Sequence, residues 1–512
     1  MSDSVPTPPP LGTAVKLTYG LGSVAYGVSA AVLSAAVLQL YFNQVIGLPA
    51  VWVGLAIMVS LVADVVIDPM IGHWSDNLRS PWGRRHPFMY ASAIPVALFF
   101  YLLWHAPKGL DGGALLILAV VMLIAVRVSV AGYEIPSSAL SPELAPDYDK
   151  RTSLLAYRWF FAISAIAVTQ IVLYSVFLRQ DASNPLGVLN RARYAEFGAL
   201  ASVVMFICIL VSSAATHSRI PYLHRPPVRK TSLGQTIQEI LSVFANPALL
   251  VLMVANILGG SGIGIIAALQ NYFYLHLWGL KPQMIGPLAS GGLLASVIGV
   301  FLAPFLAQRF GKKRAMLGLL SVSVFAGLLP ISGRLLGIMP PNGSNLLYAL
   351  LFGDVLLTAA MGLMGLVILT SMVADVVEDQ QVKTGIRSEG VLFAANGLVP
   401  KFTAGLGAFI AGSLISLVGF PVHAVPGTVD PEIVRRLALF YIPCVIVLNG
   451  GSVVALSFYK IDRATHERNV ARLREVAASK GPGDVATRTP LEPEDRVVNI
   501  PAGSSADPEP AQ

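Results

Sequence analysis

The sequence predicts an all-α polytopic membrane protein with twelve transmembrane helices in two six-helix bundles. Of its 512 residues, 55% are hydrophobic and only 12% are charged, and the mean hydropathy is +0.68. A soluble chain carries about 25% charged residues, so composition alone places this chain in the membrane class. Twelve apolar runs follow one another along the chain, and a polar stretch divides them six and six.

Each apolar run is long enough to cross a bilayer, which takes about 20 mostly apolar residues. We expect the helices near residues 17–42, 51–72, 87–105, 115–140, 155–178, 196–216, 248–277, 284–307, 315–337, 346–373, 389–418 and 437–459.

The polar stretch at residues 217–246 separates an N-terminal bundle (16–216) from a C-terminal bundle (247–460). Its centre has the spacing of a short surface helix, with Ile237, Ile240, Leu241 and Phe244 on one face. Trp82-Gly83-Arg84-Arg85 follows the second run and Phe310-Gly311-Lys312-Lys313 follows the eighth, so a cation-capped turn recurs in each half. Two six-helix halves related by an axis along the membrane normal are typical of major facilitator carriers.

The ends of the chain are expected to lie outside the bundles, in the cytoplasm. The predicted cytoplasmic loops hold nearly twice as many Lys and Arg residues as the outer loops, which orients both termini inward. Residues 1–15 are Pro-rich and polar, without Lys or Arg, so we expect disorder there and no cleaved signal peptide. In the tail at 461–512, a short amphipathic helix up to about 480 precedes a stretch expected to be disordered. We expect a monomer in the inner (plasma) membrane.

Asp64 and Asp68 give the strongest functional signal. An acid at mid-bilayer costs about 2.5–3.5 kcal/mol on insertion scales, so it usually has a partner or a role. Their i,i+4 spacing places both carboxylates on one helical face, where they repel unless a cation or proton lies between them. Hard cations prefer oxygen ligands, which indicates a coupling-ion site, with Asp64 and Asp68 as metal ligands if the ion is Na⁺. The alternative is a helix-end acid pair bridged to loop cations.

Two further intramembrane charges lie on neighbouring helices. Glu134 follows Arg127 by two turns of one helix, and Arg158 lies on the next. Glu134 and Arg158 could hold polar substrate groups, because Arg offers a planar fork of donors and Glu accepts from hydroxyls. A structural ion pair is the equal alternative, and for Arg127 it is favoured. Tyr26 and Asn396 are weaker candidates for substrate binding, since packing hydrogen bonds explain most such residues.

Lys401 lies deep in the eleventh run, where a lone cation is expensive. Asp64 or Asp68 is its expected partner, across the two halves. A lysine that competes with Na⁺ or H⁺ for these carboxylates would couple ion binding to helix arrangement. Snorkelling of the amine to the membrane surface is the alternative.

A charged cluster in the predicted cytoplasmic loops is a candidate for gating the inner mouth through salt bridges. Its members are Asp76, Arg84, Arg85, Asp149 and Arg151.

Other classes of protein are disfavoured. The eight histidines lie in loops, tails or helix ends, and H-E-x-x-H is not present, so a membrane enzyme is not expected. The glycine-rich stretches lack the strand and Lys-Ser/Thr of a phosphate loop, so no nucleotide cofactor is expected. Cys208 and Cys444 lie in opposite halves and are expected to pack rather than pair. The net charge of +7 comes without a basic patch interleaved with aromatics, so no nucleic acid is expected.

Four segments together resemble the glycoside–pentoside–hexuronide:cation symporter family, which belongs to the major facilitator superfamily and includes melibiose permease. They are KLTYGLGSVAYG (16–27), DVVIDPMIGHWSDNLRSPWGRRHPF (64–88), YEIPSSALSPELAPDYDKRTSLLAYRWFF (133–161) and ADVVEDQQVKTGIRSEGVLFAANGLVPK (374–401). The resemblance implies that Asp64 and Asp68 bind the cation, that Glu134 and Arg158 lie near the sugar, and that Lys401 approaches the cation site.

Three positions depart from the pattern of melibiose permease. Ile67 stands in place of an asparagine near the cation, which favours H⁺ over Na⁺. Gly27 stands in place of an acid that grips the sugar, and Ser138 in place of an aromatic residue. These departures argue against an α-galactoside as substrate.

The resulting prediction is a secondary active transporter that symports a sugar or glycoside with H⁺ or Na⁺ by alternating access. A carrier of an amphiphile such as a lysolipid, a carrier of another organic solute and a passive facilitator are the alternatives. A non-transporting sensor is disfavoured, because it would usually add a soluble output domain.

Overall fold

A computed structural model describes residues 11–110, 112–145, 147–223, 247–289, 291–384, 389–461 and 463–479. Within these ranges the regular structure is helical. The helices are α1 (Thr13–Leu21), α2 (Ser23–Val32), α3 (Ala35–Leu38), α4 (Ala50–Asn77), α5 (His86–Trp104), α6 (Gly112–Leu144), α7 (Tyr148–Val172), α8 (Arg191–His217), α9 (Pro247–Tyr272), α10 (Pro282–Ala289), α11 (Gly291–Phe310), α12 (Lys312–Leu335), α13 (Asn345–Thr384), α14 (Glu389–Leu417), α15 (Pro431–Ser457) and α16 (Arg463–Ser479).

Every predicted transmembrane segment overlaps at least one of these helices, which confirms the predicted all-helical membrane fold. Ten described spans are long and apolar enough to cross a membrane. An eleventh is bent by 53° between Thr13–Val32 and Ala35–Ile46, because Ser34 adopts an extended backbone there. The eighth predicted segment corresponds to α10 and α11, on either side of residue 290, which lies outside the described residues.

Several predicted boundaries were wrong. The fifth helix, α7, begins at Tyr148 rather than 155, and the twelfth, α15, begins at Pro431 rather than 437. The tenth helix, α13, continues to Thr384 rather than ending at 373, because Asp375 is buried against Lys312 instead of marking a loop. Helix α1 begins at Thr13, inside the stretch 1–15 that was expected to be irregular. The tail helix is present as α16. Residues 1–10, 224–246 and 480–512, which include the predicted linker helix, lie outside the described residues.

The same helix contacts recur in the two halves. In the N-terminal half, α2 packs on α7, α4 on α6, and α5 on both α6 and α8. In the C-terminal half, α9 packs on α14, α11 on α13, and α12 on both α13 and α15. Each pair occupies the matching place in its own six-segment series, as expected for halves related by an axis along the membrane normal.

One end of the molecule joins the two halves by a layer of hydrogen bonds, and we call it the sealed end. It is defined by Gln44, Tyr272, Gln283 and His423. Gln44 Nε2 donates to Pro421 O (3.1 Å), and Gln44 Oε1 accepts from Ala424 N (2.9 Å). Tyr272 OH donates to Asn43 Oδ1 (2.7 Å). The halves are therefore closed against each other at this end.

Three helices change to π-helical geometry as they reach the sealed end, at Gln39–Ile46, Leu173–Phe177 and Phe273–Leu277. A π-turn inserts a residue into the helix and re-aims the side chains that follow. Asn43 and Gln44 lie on the first of these turns. Ser175 lies on the second and donates to Gln283 O at 3.1 Å. The π-turns thus direct polar groups across the interface between the halves.

Along the seam between α4 and α14, glycines allow the two halves to approach closely. A Cβ atom on Gly54 would lie 2.5 Å from Ala408 O, and one on Gly412 would lie 2.2 Å from Ala50 O. Real Cβ atoms essentially never approach backbone so closely. This backbone-to-backbone packing positions α14 to present Lys401 to α4.

Candidate functional site

The seam between α4 and α14 brings Asp64, Asp68 and Lys401 together, as the sequence led us to expect. Lys401 Nζ donates to Asp68 Oδ2 and lies 3.8 Å from Asp64 Oδ2. Asp64 is 6% exposed. Because α4 belongs to the N-terminal half and α14 to the C-terminal half, this ion pair links the two halves in the middle of their length.

Arg127 is the second cation of this site, and its ion-pair partner differs from the one that its spacing in the sequence suggested. Its spacing of two turns from Glu134 pointed to a shared face on α6. Instead, Arg127 Nη1 donates to Asp64 Oδ2 at 3.2 Å. Arg127 therefore belongs to the carboxylate pair on α4, where it balances the charge of Asp64.

One carboxylate oxygen at this site remains without a hydrogen bond. Asp68 Oδ1 is buried and accepts none from the described residues. Leaving a buried acceptor unsatisfied costs about 1–3 kcal/mol, so this atom is a place where a proton or a cation would be stabilised. The two carboxylates and the two internal cations, Arg127 and Lys401, together are close to neutral.

The oxygen ligands at this site bear on which cation it would bind. Asp64 and Asp68 supply carboxylate oxygens, whereas Ile67, which precedes Asp68, adds no oxygen ligand. Na⁺ prefers several oxygen ligands, by the logic of other hard cations, but a single carboxylate oxygen is enough for a proton. The described residues are thus compatible with either ion. A proton needs fewer oxygen ligands than Na⁺, and the described residues supply enough for a proton.

A second buried pair lies on α6 and α7. Arg158 Nη2 donates to Glu134 Oε1. Arg158 Nη1 donates to Tyr19 OH (3.1 Å) and to Ser137 Oγ (2.7 Å). The guanidinium is 5% exposed and also lies over the Tyr19 ring, 5.3 Å from its centroid. These contacts fix the fork of Arg158 in one orientation.

Glu134 keeps a free acceptor beside this fixed arginine. Its side chain is about one-quarter exposed, whereas Oε2 itself is buried and accepts no hydrogen bond from the described residues. A hydroxyl-bearing solute could donate to this oxygen, while the fixed arginine orients the carboxylate. Charge-assisted hydrogen bonds of this kind are stronger than neutral ones.

The hydrogen bonds that surround the pair of Glu134 and Arg158 were not predicted from the sequence. Tyr19 OH donates to Ser137 O (2.6 Å), Tyr133 OH donates to Ser212 Oγ (2.9 Å), and Ser212 Oγ donates to Tyr19 O (3.0 Å). Tyr19 and Ser137 lie within segments that carry the family resemblance. The resemblance could therefore have identified them. Ser212 carries no local signal, because its role depends on α8 packing against α1.

The structure defines fewer contacts for the remaining residues at which substrate binding was considered. Tyr26 is 38% exposed on α2 and lies within electrostatic range of Glu134. Gly27 packs on α7, where a Cβ atom would lie 2.4 Å from Ala162 O, so no side chain could reach a solute from that position. Ser138 donates to Ile135 O on its own helix. The side chain of Asn396 lies outside the described set.

The charged cluster at the opposite end from the sealed end is built on α4, α5 and α6. Arg85 is 6% exposed and contacts Asp76 (2.5 Å) and Ser75 Oγ (2.9 Å). Arg84 pairs with Glu143 at 2.6 Å, a partner that the sequence did not single out. These pairs lie within the N-terminal half and brace its helices in this conformation. Arg151 lies near the start of α7, and the side chain of Asp149 lies outside the described set.

The matching turn of the C-terminal half repeats this arrangement. Lys312 Nζ donates to both oxygens of Asp375, at 2.6 and 2.8 Å. His466 of α16 contacts Asp375 (3.3 Å) and Glu378 (2.9 Å). The tail helix is therefore attached to the end of α13 through the same buried carboxylate that Lys312 binds.

Comparison with known proteins agrees with this architecture. Residues 18–463 match the MFS/sugar transport protein family. An uncharacterized symporter of Synechocystis is 26% identical over 88% of this chain and 94% of its own length. The isoprimeverose transporter of Lactiplantibacillus pentosus is 22% identical over 88% of each chain.

Solved structures show the same fold at low sequence identity. A crystal structure of a mutant of the nucleoside transporter NupG superimposes with a TM-score of 0.62 at 13% identity, covering 86% of this chain and 99% of that one. The match to the family spans most of the sequence and all twelve segments. The chain therefore belongs to the MFS/sugar transport protein family and is a secondary active transporter of the major facilitator superfamily, not an enzyme.

Proposed function

We propose that this protein symports a sugar or glycoside with H⁺ or Na⁺, using Asp64 and Asp68 as the coupling site. The observation that supports this most directly is the ion pair between Lys401 and Asp68, which joins the two halves beside a buried oxygen that accepts no hydrogen bond from the described residues. An internal cation on a carboxylate pair is the arrangement that an external cation can replace.

The coupling follows from this competition. A proton or Na⁺ on Asp68 Oδ1 weakens the hold of the carboxylate on Lys401 and so loosens one tie between α4 and α14. The loaded carrier then rocks between its two orientations around the central site. One charge moving down 100 mV supplies about 2.3 kcal/mol, enough for roughly fifty-fold accumulation of solute. The proposal needs no cofactor and no second subunit.

The solute is held by the pair on α6 and α7. Glu134 Oε2 accepts from a hydroxyl group of the solute, and Arg158 holds the Glu134 carboxylate in place. Tyr26 offers a hydroxyl and an apolar ring from α2. The names of two relatives, a symporter and an isoprimeverose transporter, support a glycoside as the class of solute.

We place the protein in the inner (plasma) membrane with both termini in the cytoplasm, following the distribution of Lys and Arg. With this orientation the sealed end faces the outside. The structure is then closed toward the outside, and the cluster around Arg85 lies at the cytoplasmic end.

The test is uptake of radiolabelled sugars, glycosides and uronides into proteoliposomes under an imposed Na⁺ or pH gradient. We expect gradient-driven uptake of at least one glycoside by the wild type. Asp64→Asn should abolish that uptake, because it removes one charge of the coupling site. Asp181→Asn, in the exposed loop after α7, is the matched control and should transport normally.

Either of two results would overturn the proposal. If no glycoside accumulates under either gradient, the sugar assignment is wrong. If Asp64→Asn accumulates glycoside as well as the wild type does, the coupling site lies elsewhere.

A further inference from the structure

The C-terminal half contains a cavity of about 480 Å³ between α9, α12, α13, α14 and α15. It is separated from the coupling site by α14. Pro400 and Thr403 line the cavity, whereas Lys401 points to Asp68 on the other side of that helix. The cavity is therefore distinct from the carboxylate pair and from the pair formed by Glu134 and Arg158.

Glycines create the space. Gly327 on α12 and Gly362 and Gly365 on α13 line the cavity. A Cβ atom on Gly362 would meet nothing within 4 Å, and one on Gly365 would meet only the end of Met316, at 3.7 Å. These glycines do not serve close helix packing, so here they leave room rather than bring backbones together.

The fold itself does not require this cavity. The matching space in the N-terminal half lies between α1, α5, α6, α7 and α8. There Tyr19, Tyr133 and Arg158 fill it, and each is at most 5% exposed. In the C-terminal half the matching space is left open instead. Because an apolar void costs more as its volume grows, an apolar ligand in this space would stabilise the fold.

The lining defines the chemistry of that occupant. Of the described residues that line the cavity, most are apolar and none is charged. The polar groups cluster on α9 and α15, where Asn449 Nδ2 donates to Val445 O (3.1 Å) and Ser452 Oγ donates to Ala255 O (2.7 Å). Asn449 Oδ1 and the amide of Asn256 remain for a ligand. Ligand pockets typically measure about 300–1,000 Å³ and combine an apolar lining with a few polar groups.

We propose that this cavity binds an uncharged amphiphile with one hydrocarbon chain, whose hydroxyl or ester group lies against Asn256 and Asn449. The chain of the ligand occupies the space beside Gly362 and Gly365. A charged head group is disfavoured, because burying an ion without a partner is far more costly than burying a hydroxyl. Water is a poor occupant of the apolar part of the cavity, because it finds no hydrogen-bond partners there.

The probe is hexadecanol with a photoactivatable diazirine in its chain, added to the purified full-length protein in nanodiscs. We expect cross-links in peptides of α12 and α13 that contain residues lining the cavity, and competition by unlabelled hexadecanol. Diazirine-bearing palmitic acid, which has the same chain and a charged head at neutral pH, should label these peptides more weakly.

The decisive variant is Gly362→Leu, whose side chain would project into the cavity. It should lose the cross-links on α12 and α13. Gly353→Leu is the matched control: it lies on the same helix with nothing within 4 Å of its Cβ position and does not line the cavity. It should label like the wild type. Equal labelling of Gly362→Leu and wild type would overturn the proposal, as would cross-links confined to peptides that do not line the cavity.

Thermal unfolding provides a second measurement that does not depend on labelling. Hexadecanol should raise the Tm of the wild type and of Gly353→Leu, because a ligand that binds only the folded state stabilises it. It should leave the Tm of Gly362→Leu unchanged. Native mass spectrometry of the purified protein then distinguishes the two possible sources of the amphiphile. A lipid retained by the protein indicates that the amphiphile comes from the bilayer. Release of the amphiphile by a transported solute indicates that it enters along the transport path. If hexadecanol leaves the Tm of the wild type unchanged, the proposal is contradicted.

Discussion

At the scale of single residues, the central feature is a balance of charges in a place where water is scarce. Asp64 contacts both Arg127 and Lys401, and Asp68 contacts Lys401. Each carboxylate is therefore neutralised from within the protein. Charges buried without partners are far more expensive than such pairs, so the site stays folded in the absence of an added cation. Under the proposed coupling, the ion binds by exchange with Lys401.

Replacing Lys401 with methionine tests this exchange. Lys401→Met leaves two carboxylates with one cation, and removing a partner from a buried pair costs about 3–5 kcal/mol. We expect a lower Tm than the wild type in Na⁺-free buffer at neutral pH, restored by Na⁺ or by lower pH, whichever supplies the coupling ion. The measurement is thermal unfolding of the purified protein across both series.

Lys281→Met is the control, because Lys281 is exposed in the loop before α10. It should leave the dependence on Na⁺ and pH unchanged. A Lys401→Met protein that unfolds like the wild type under every condition would show that Lys401 does not occupy the coupling site.

At the scale of helices, the seam between α4 and α14 depends on glycine at positions where backbones touch. Gly412 meets Ala50 O near the sealed end, and Gly54 meets Ala408 O one turn further along. Small residues at membrane helix interfaces allow such close approach. The seam thus sets the distance between the two halves, and with it the reach of Lys401.

Gly412→Ala should push α4 and α14 apart at the sealed end. The added Cβ would lie 2.2 Å from Ala50 O, and backbone cannot move aside as a flexible side chain can. We expect a lower Tm and greater reactivity of a single cysteine introduced at the sealed end, in an otherwise cysteine-free background, toward a water-soluble maleimide.

Gly450→Ala serves as its control, since a Cβ at Gly450 on α15 would meet nothing within 4 Å. Both changes alter helix propensity alike, by up to about 1 kcal/mol in favour of alanine, so the comparison isolates the steric effect. Equal maleimide reactivity in the two variants would mean that the glycine contact does not hold the seam closed.

At the scale of the whole molecule, alternation between two orientations requires contacts that exist in only one of them. The sealed end supplies such contacts. Gln44 bonds to Pro421 and Ala424 across the interface, and Tyr272 bonds to Asn43. All of these bonds must break when the sealed end opens, so each biases the equilibrium toward the conformation seen here.

Gln44→Ala removes two of these bonds. At about 0.5–1.5 kcal/mol net for each, the equilibrium should shift toward the open sealed end by roughly 5-fold to 150-fold. Electron paramagnetic resonance distances between spin labels on either side of the sealed end would show a larger population of long distances.

Gln180→Ala is the comparison, because the Gln180 side chain bonds only to Pro185 O within its own loop among the described contacts. It should leave the distance distribution unchanged. Identical distributions for Gln44→Ala and wild type would exclude Gln44 as part of the closure.

The sequence by itself determined the helices of this protein. Their number and approximate limits follow from the length of apolar runs that cross a bilayer, and the candidate charges follow from the cost of placing them there. Asp64, Asp68 and Lys401 were identified in this way. The end of α13 was missed, because a buried Asp375 in a helix has the same local pattern as an acid in a loop.

Only the tertiary structure decided which of these groups meet. Arg127 lies two turns from Glu134 along α6, yet it contacts Asp64, and Glu134 contacts Arg158 instead. The seal at Gln44 and the cavity beside Gly362 likewise depend on helices far apart in the chain. The physical reason is that helix formation in a membrane is governed by local composition, whereas pairing of side chains depends on how whole helices pack.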